Sequence, residues 1–563
     1  MQVLAILLQH NHKQIILHKL NLTGLLNHST DHKLIVLIFI FFFLISIISS
    51  GGHLDWWDGT EAFLVTESMA LKNTAKLDPS VPSVEELRFN INYTVNSNRA
   101  IQTGISSDPT TIALEPVYTV RSLLLSAIGV PFYYLGLVLS ISPVLTVGLF
   151  VNSLFISLTA AVIFCIAVEV HRSRKIAFIL SLIFSVCSFV WPYNSTFWVQ
   201  PLQGLTLALS TYFLIKIQHH DKSFLCQYIV LTSARKGFFF SALAGLFLGL
   251  SVFAHPTSLI FVPAFVIYAF LYSMRHNIKN FISFLTLLAI VLFCTGFVNY
   301  LRFASFTEFG YGYFSSLSTH DGWRGLIGLL ISPGVGLVFY FPPAVLLPLA
   351  AKYLYKENKG LLFLCTYIIL TNWIYVGTLS FGSEPIAWSG GIAWGPRYLI
   401  PVLPFIIIIL GSIFLHLNKK RSFLRVVMIG LCVAGFYVNL SGILIWFQYG
   451  LVFGWQKEGL SIYPDSLDIM AWNPLYSPIV LHTKAIITDY VSSIHPVQYL
   501  NTSWYWTAYG TAPCSYDLYL YCNYGIILMI AMSLCIAIIG VLIAVRIKIG
   551  MSYMKRFRVL IKV

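Results

Sequence analysis

Long apolar runs without a central charge, separated by short segments in which Lys and Arg collect, leave little choice about the solvent this chain folds in. The runs fall at roughly 34–50, 146–169, 176–191, 203–217, 237–254, 258–273, 280–299, 334–351, 360–380, 398–416, 425–447 and 525–546. A helix of about 20 apolar residues crosses the hydrocarbon of a bilayer. The shorter runs reach that length by extending into their flanks. With 57% hydrophobic and only 10% charged residues, a chain of 563 residues cannot cover itself with polar surface in water. Soluble proteins carry about 25% charged residues. Lipid must therefore solvate most of this one, and the expectation is an all-α polytopic membrane protein.

The net charge of +14 would suggest nucleic acid in a soluble protein. Here the bases lie in short loops between apolar runs, which is the positive-inside pattern, and no nucleic-acid partner is implied. Starting from a cytoplasmic N-terminus, twelve spans put 25 of the 35 Lys and Arg on the inner side. Only four of the 21 acids join them: Asp31, Glu169, Asp221 and Glu357. An odd number of spans breaks this sorting partway along. The apolar stretch 117–140 is therefore read as an interfacial or re-entrant helix on the outer leaflet, interrupted by Arg121 and Pro131. Counting it as a span would place His171-Arg-Ser-Arg-Lys175 and Asn418-Lys-Lys-Arg421 outside. The expected topology is integral and multi-pass, with both termini cytoplasmic and, in a prokaryote, residence in the plasma membrane. The first run, preceded by about 30 residues, lacks a convincing cleavage site and is read as a span rather than a cleaved signal.

The expected organisation is a cytoplasmic segment 1–33, a transmembrane domain 34–447 that includes an outer loop 51–145, a second outer loop 448–524, and a last span with a basic tail, 525–563. Most of the nine cysteines sit inside runs, where they serve as small apolar residues. Cys514 and Cys522 both fall in the last outer loop, where an oxidising exterior would permit a disulfide; two unpaired thiols are the other reading. There is no CxxC pair, phosphate-binding Gly-rich loop, GxSxG or HExxH pattern.

Immediately after the first run comes Ser50-Gly-Gly-His-Leu-Asp-Trp-Trp-Asp-Gly-Thr-Glu. Asp55, Asp58 and Glu61 recur every third residue beside Trp56 and Trp57, aromatic residues suited to the headgroup layer. Asp58 and Glu61 fit a helix cap, like a capping box. Equally, a carboxylate at the membrane surface can take a proton from an acceptor hydroxyl or orient a metal or phosphate-bearing donor. The residues alone leave these uses open.

This acidic loop is followed by an amphipathic segment Ala62–Leu71 and by Ser122-Leu-Leu-Leu with Pro131-Phe-Tyr-Tyr-Leu-Gly136. Further on come Ser332-Pro-Gly334 leading into a run, and Trp394-Gly-Pro-Arg-Tyr398 before a late run. Together they resemble the GT-C membrane glycosyltransferases, nearest to the protein mannosyltransferases (family 39) and the RgtA/B/C/D-like enzymes. The resemblance extends to about residue 480. It implies a GT-C-like fold of about twelve spans whose long first outer loop carries interfacial helices. It also implies a polyprenyl (dolichyl-type) phosphate-linked hexose as donor, and a glycan, lipid or protein acceptor on the outer face. Asp58 becomes the leading base, with Asp55 and Glu61 beside it. Two departures stand out. Gln200 occupies a place where relatives often carry an acid, and His255-Pro-Thr stands where Arg-Pro-Thr is common.

Arg397, the only base of its outer loop, has a guanidinium that matches phosphate bidentately, or snorkels to headgroups. Arg302 and Arg324 lie in another outer loop with Glu308, His320 and Asp321 and are further donor-phosphate candidates, as is His255; a local Arg324–Asp321 pair and a structural His are the plainer readings. Trp56, Trp57, Gln200 and Trp394 are the expected acceptor or sugar contacts. No cofactor is required, and a divalent metal stays open. Sequons at Asn92, Asn194 and Asn501 would face outward. A secondary transporter or flippase would also fit twelve spans, but such proteins place ionisable groups at mid-membrane. A catalytically inactive relative that binds lipid is the remaining alternative.

Overall fold

The computed structural model describes residues 32–54, 58–78, 80–83, 118–218, 233–275, 277–310, 322–379, 387–416, 422–447, 465–487 and 518–561. Among them every regular element is helical. Eight helices are long and apolar enough to cross a membrane: Pro143–His171, Lys236–Ala254, Pro256–Ser273, Ile278–Phe303, Lys359–Gly377, Arg397–His416, Phe423–Leu444 and Tyr524–Lys548. With their composition these make the chain an integral multi-pass membrane protein.

The other four expected runs are helical but depart from a simple span, each for a physical reason. His32–Ile48 is short. Arg174–Val186 has 13 residues and gives way to a 3-10 turn, Trp191–Ser195, whose Pro192 cannot continue an α-helix. Near 334–351, Pro342, Pro343 and Pro348 split the run into Leu337–Tyr340, a 3-10 turn Pro342–Leu346 and Leu347–Glu357. The Gln200–Gln218 helix has the length, but carries Gln200, Gln203, Thr206, Ser210, Thr211 and Lys216. All six are buried among other helices, where polar groups find partners that lipid cannot offer.

The Arg397–His416 helix is the centre of the bundle, with 83% of its apolar window buried, whereas only 6% of the Tyr524–Lys548 window is covered. It packs against Pro143–His171, Arg174–Val186, Leu347–Glu357 and Lys359–Gly377. Between Ser233–Ala254 and Ile278–Phe303 the contact is closer still. A Cβ at Gly245 would stand 2.1 Å from the Phe284 carbonyl oxygen, and one at Gly249 2.6 Å from the Val291 Cβ. This small-xxx-small spacing lets two membrane helices approach backbone to backbone.

The stretch 117–140, expected to be an interfacial or re-entrant helix, contains a 16-residue helix, Leu123–Val138, capped by the Ser122 hydroxyl. It packs on Asp58–Lys72 and Pro143–His171. The Asp58–Lys72 helix, read from sequence as amphipathic, is buried along nearly its whole length. Thr66 Oγ1 donates to the carbonyls of Ala62 and Ser126, and Ser126 Oγ donates back to Ala62 O. Glu67, 3% exposed, accepts from Ser83 N, Ser83 Oγ and Tyr133 OH at 3.2, 3.0 and 3.1 Å. Burial, together with the Glu67 charge, raises the Tyr133 hydroxyl pKa, so Tyr133 stays a donor.

Candidate active site

The segment before Asp58 is anchored from far along the chain. Gly51 N donates to Ser195 Oγ at 2.9 Å. Asn194 Nδ2 donates to Ser46 O and Ser49 Oγ at 2.7 and 2.9 Å, and Trp191 Nε1 to Ser49 Oγ at 3.0 Å. Asn194 is fully buried by these bonds, so its sequon is closed to modification in the folded protein. Gly52 takes a left-handed φ of 69°, and the His53 carbonyl comes so close to Gly148 that a Cβ there would meet it at 2.6 Å. Those contacts deliver the chain to Asp58, the first residue of its helix.

Asp58 bridges two guanidinium groups. Its Oδ1 lies 2.7 Å from Arg121 Nη2, and its Oδ2 lies 3.3 Å from Arg397 Nη2. Arg121 Nε reaches Glu61 Oε2 at 2.6 Å, so one guanidinium holds two carboxylates. The four charges cancel, and all are largely withdrawn from solvent, with side-chain exposures between 10% and 26%. That enclosure strengthens their interactions over those of a surface pair.

Arg302 and Arg397 also engage uncharged groups. Arg302 donates through Nη2 to the carbonyls of Thr119 and Arg121, while its guanidinium lies 4.6 Å over the Phe303 ring. Arg302 therefore grips the backbone that presents Arg121. The Arg397 guanidinium is 4.5 Å from the Trp198 ring and 4.7 Å from the Tyr398 ring, and Nη2 donates to Tyr398 OH at 2.9 Å. Its aliphatic stem crosses Gly390, where φ is 82° and a Cβ would stand 2.9 Å from Arg397 Cγ. Only glycine suits both that φ and that approach.

His255 sits at the junction between two spans, half-buried, with Nδ1 2.8 Å from Thr257 Oγ1 and 3.4 Å from Thr257 N. Because the Thr257 amide can only donate, Nδ1 is the acceptor and the ring proton is assigned to Nε2. Gln203 Nε2 donates to Thr257 Oγ1 and Ser258 Oγ at 2.9 and 2.8 Å, extending the chain. Burial lowers the His255 pKa to about 4; Asp58 pulls it upward, Arg121 and Arg397 push it down. The imidazole is neutral at physiological pH, and it lies within electrostatic reach of all three charged groups.

Of the residues expected from sequence, Asp58, Glu61 and Arg397 come together around Arg121, His255 lies within electrostatic reach of them, and Arg302 stands one step behind. Arg324 is engaged elsewhere: Nη2 is 2.8 Å from Asp468 Oδ1, and the guanidinium is 5.7 Å from the Trp472 ring. Trp394 is fully buried, with Nε1 donating to Asn439 Oδ1 at 3.2 Å and its carbonyl accepting from Tyr193 OH at 2.9 Å. Gln200 is 6% exposed at the start of its helix. Asp55, Trp56, Trp57, Cys514, His320, Asp321, Asn92 and Asn501 lie outside the described residues, as does the Cys522 side chain. Sequence reasoning missed Arg121 as a site residue. Its signal in the sequence is a single cation set within the apolar stretch 117–140. Among the described residues no three His, Cys, Asp or Glu side chains group as metal ligands.

No family model matches the sequence, and no curated protein does. Two solved structures share a likeness of shape. They are crystal structures of ArnT from Cupriavidus metallidurans, one bound to undecaprenyl phosphate and one in the apo state. Both are 12% identical. They cover 84% and 85% of this chain and 84% of their own, with TM-scores of 0.43 and 0.41. At that level the likeness carries no weight for the chemistry, which rests on the residues themselves.

Proposed function

We propose that the chain is a GT-C-type membrane glycosyltransferase moving a hexose from a polyprenyl phosphate to an acceptor hydroxyl on the outer face of the membrane. The observation that carries this reading is the Arg121–Asp58–Arg397 bridge. One carboxylate able to take a proton is held between cations able to bind a phosphate, beside a neutral imidazole. In this reading both termini are cytoplasmic and, in a prokaryote, the membrane is the plasma membrane.

The two halves of the bridge are unequal. Arg121 holds Asp58 at 2.7 Å and is tied to Glu61, whereas Arg397 stands at 3.3 Å. An arriving lipid phosphate competes for Arg397, because guanidinium and phosphate match bidentately. As Arg397 turns to the phosphate, its hold on Oδ2 of Asp58 is released. The acceptor oxygen then attacks the anomeric carbon from the face opposite the phosphate, and its proton passes to Oδ2. The bond from that carbon to the phosphate oxygen breaks, its electron pair leaves with the lipid phosphate, and configuration inverts. Arg397 stabilises the charge gathering on the departing phosphate, while Arg121 keeps Asp58 aimed.

In purified full-length protein given a panel of polyprenyl-phosphate hexoses, Asp58→Asn should lower sugar transfer by about 100- to 10,000-fold, the range for loss of a general base. Thermal stability and yield would show whether the variant remains folded. Undiminished release of lipid phosphate by a folded Asp58→Asn protein would refute the assignment.

A further inference from the structure

Three buried polar atoms beside the charge cluster have no hydrogen-bond partner among the described residues: Trp198 Nε1, Gln200 Oε1 and Arg397 Nε. Trp198 is 2% exposed and Gln200 6%. Buried polar groups are nearly always hydrogen-bonded, because an unmade bond costs the full desolvation of the group. Isolated exceptions occur, but Trp198 and Arg397 touch, and Gln200 is two residues from Trp198 at the start of its helix. The Gln200–Gln218 helix and the Arg397–Val402 turn pack side by side. They touch at two levels: the Trp198 ring lies 4.5 Å from the Arg397 guanidinium, and Gly204 lies against Ile400 O, to which a Cβ would stand 3.5 Å away. Gln200 lies between Trp198 and Gly204 in the chain, in the first turn of the helix and four residues before Gly204, on the same helix face.

The face of the Trp198 indole is not open for ring stacking. Arg397 covers it, and the Tyr193 and Phe447 rings lie 5.3 and 6.2 Å away. What remains is polar recognition by one indole N–H, one guanidinium N–H and an amide that both donates and accepts. A phosphate oxygen satisfies donors only. A sugar hydroxyl donates and accepts at once, so it satisfies the amide in either orientation.

Resting on the glycosyltransferase reading, we infer that Trp198, Gln200 and Arg397 frame a subsite for hydroxyl groups of the transferred, uncharged hexose, with Gln200 as the residue that reads them. The neutral amide is matched to this place. A carboxylate there would compete with the lipid phosphate for Arg397, whereas an amide binds hydroxyls and leaves the guanidinium its charge.

The test measures binding to wild-type protein and Gln200→Met, which keeps side-chain length without the amide. The probes are bare polyprenyl phosphate and the same lipid carrying mannose, glucose or galactose. Gln200→Met should weaken binding of the preferred hexosyl lipid by roughly 5- to 150-fold, the loss expected when a buried partner goes unmade, and change binding of the bare lipid by less than about threefold. On the wild-type protein, one single-deoxy analogue of that hexose should lose a similar factor, and the two changes combined should cost little more than either alone. Equal weakening of both lipids, or of neither, would overturn the subsite, leaving ordered water alone as the partner of these atoms. If wild-type protein binds no polyprenyl phosphate at all, the glycosyltransferase reading fails and takes the subsite with it. The deoxy analogues need no variant, so a misfolded Gln200→Met protein would not obscure the outcome.

Discussion

Arg121 grips Asp58 with one nitrogen and Glu61 with another, fixing two carboxylates that are one helical turn apart. Their spacing was plain in the sequence and suggested a capping box, because i and i+3 share a helix face. The same spacing serves a cation arriving from another segment, and local pattern cannot reveal a partner some sixty residues on. His255 was legible as a departure from Arg-Pro-Thr, yet its protonation follows only from its neighbours. Its pKa is lowered from 6.5 to about 4, chiefly by burial, so between those values the unfolded chain binds the proton that the folded one refuses. Its contribution to stability is intact above pH 6.5 and is lost progressively as the pH falls toward 4. His255→Asn should therefore flatten the decline of the thermal midpoint over that window. An unchanged slope relative to wild type would contradict the neutral imidazole.

Among the elements, apolar runs announced helices well and announced crossings less well. Every run read from the sequence meets a helical element, but eight satisfy both length and apolarity. The others fall short for causes visible only in part beforehand. Prolines in 342–348 were there to be read, whereas the fully packed surroundings of the Gln200–Gln218 helix depend on neighbours distant in sequence. The glycines 245 and 249 are four residues apart, a spacing that suits close helix approach but names no partner. The partner is Ile278–Phe303, met through the Phe284 carbonyl. Since backbone cannot yield as a side chain can, Gly245→Leu should force these helices apart and destabilise the protein by about 1–3 kcal/mol. Thermal unfolding in detergent reads this directly, and a midpoint equal to wild type would mean the contact is looser than described.

For the molecule as a whole, the sorting of charge constrained which loops share a compartment, and Asp58, Glu61, Arg121 and Arg397 do meet. Sidedness can be probed without knowing the substrate. Leu475, 64% exposed, lies in an expected outer segment, and Tyr355, 54% exposed, lies beside the basic Lys352–Lys359 segment. A membrane-impermeant maleimide should label Leu475→Cys in intact cells and Tyr355→Cys only after permeabilisation, each above the background of the native cysteines. The opposite result would reverse the orientation. The anchoring of the Asp58 loop also carries a consequence for biosynthesis. Gly51 waits for Ser195, and Asp58 must wait through more than half the chain for Arg397. A ribosome that has finished the first outer loop has made Asp58, Glu61 and Arg121, but the second cation of Asp58 is still to come with later helices. The acidic loop is thus among the earliest parts synthesised and among the last completed, and chains cut short before Arg397 leave it unfinished.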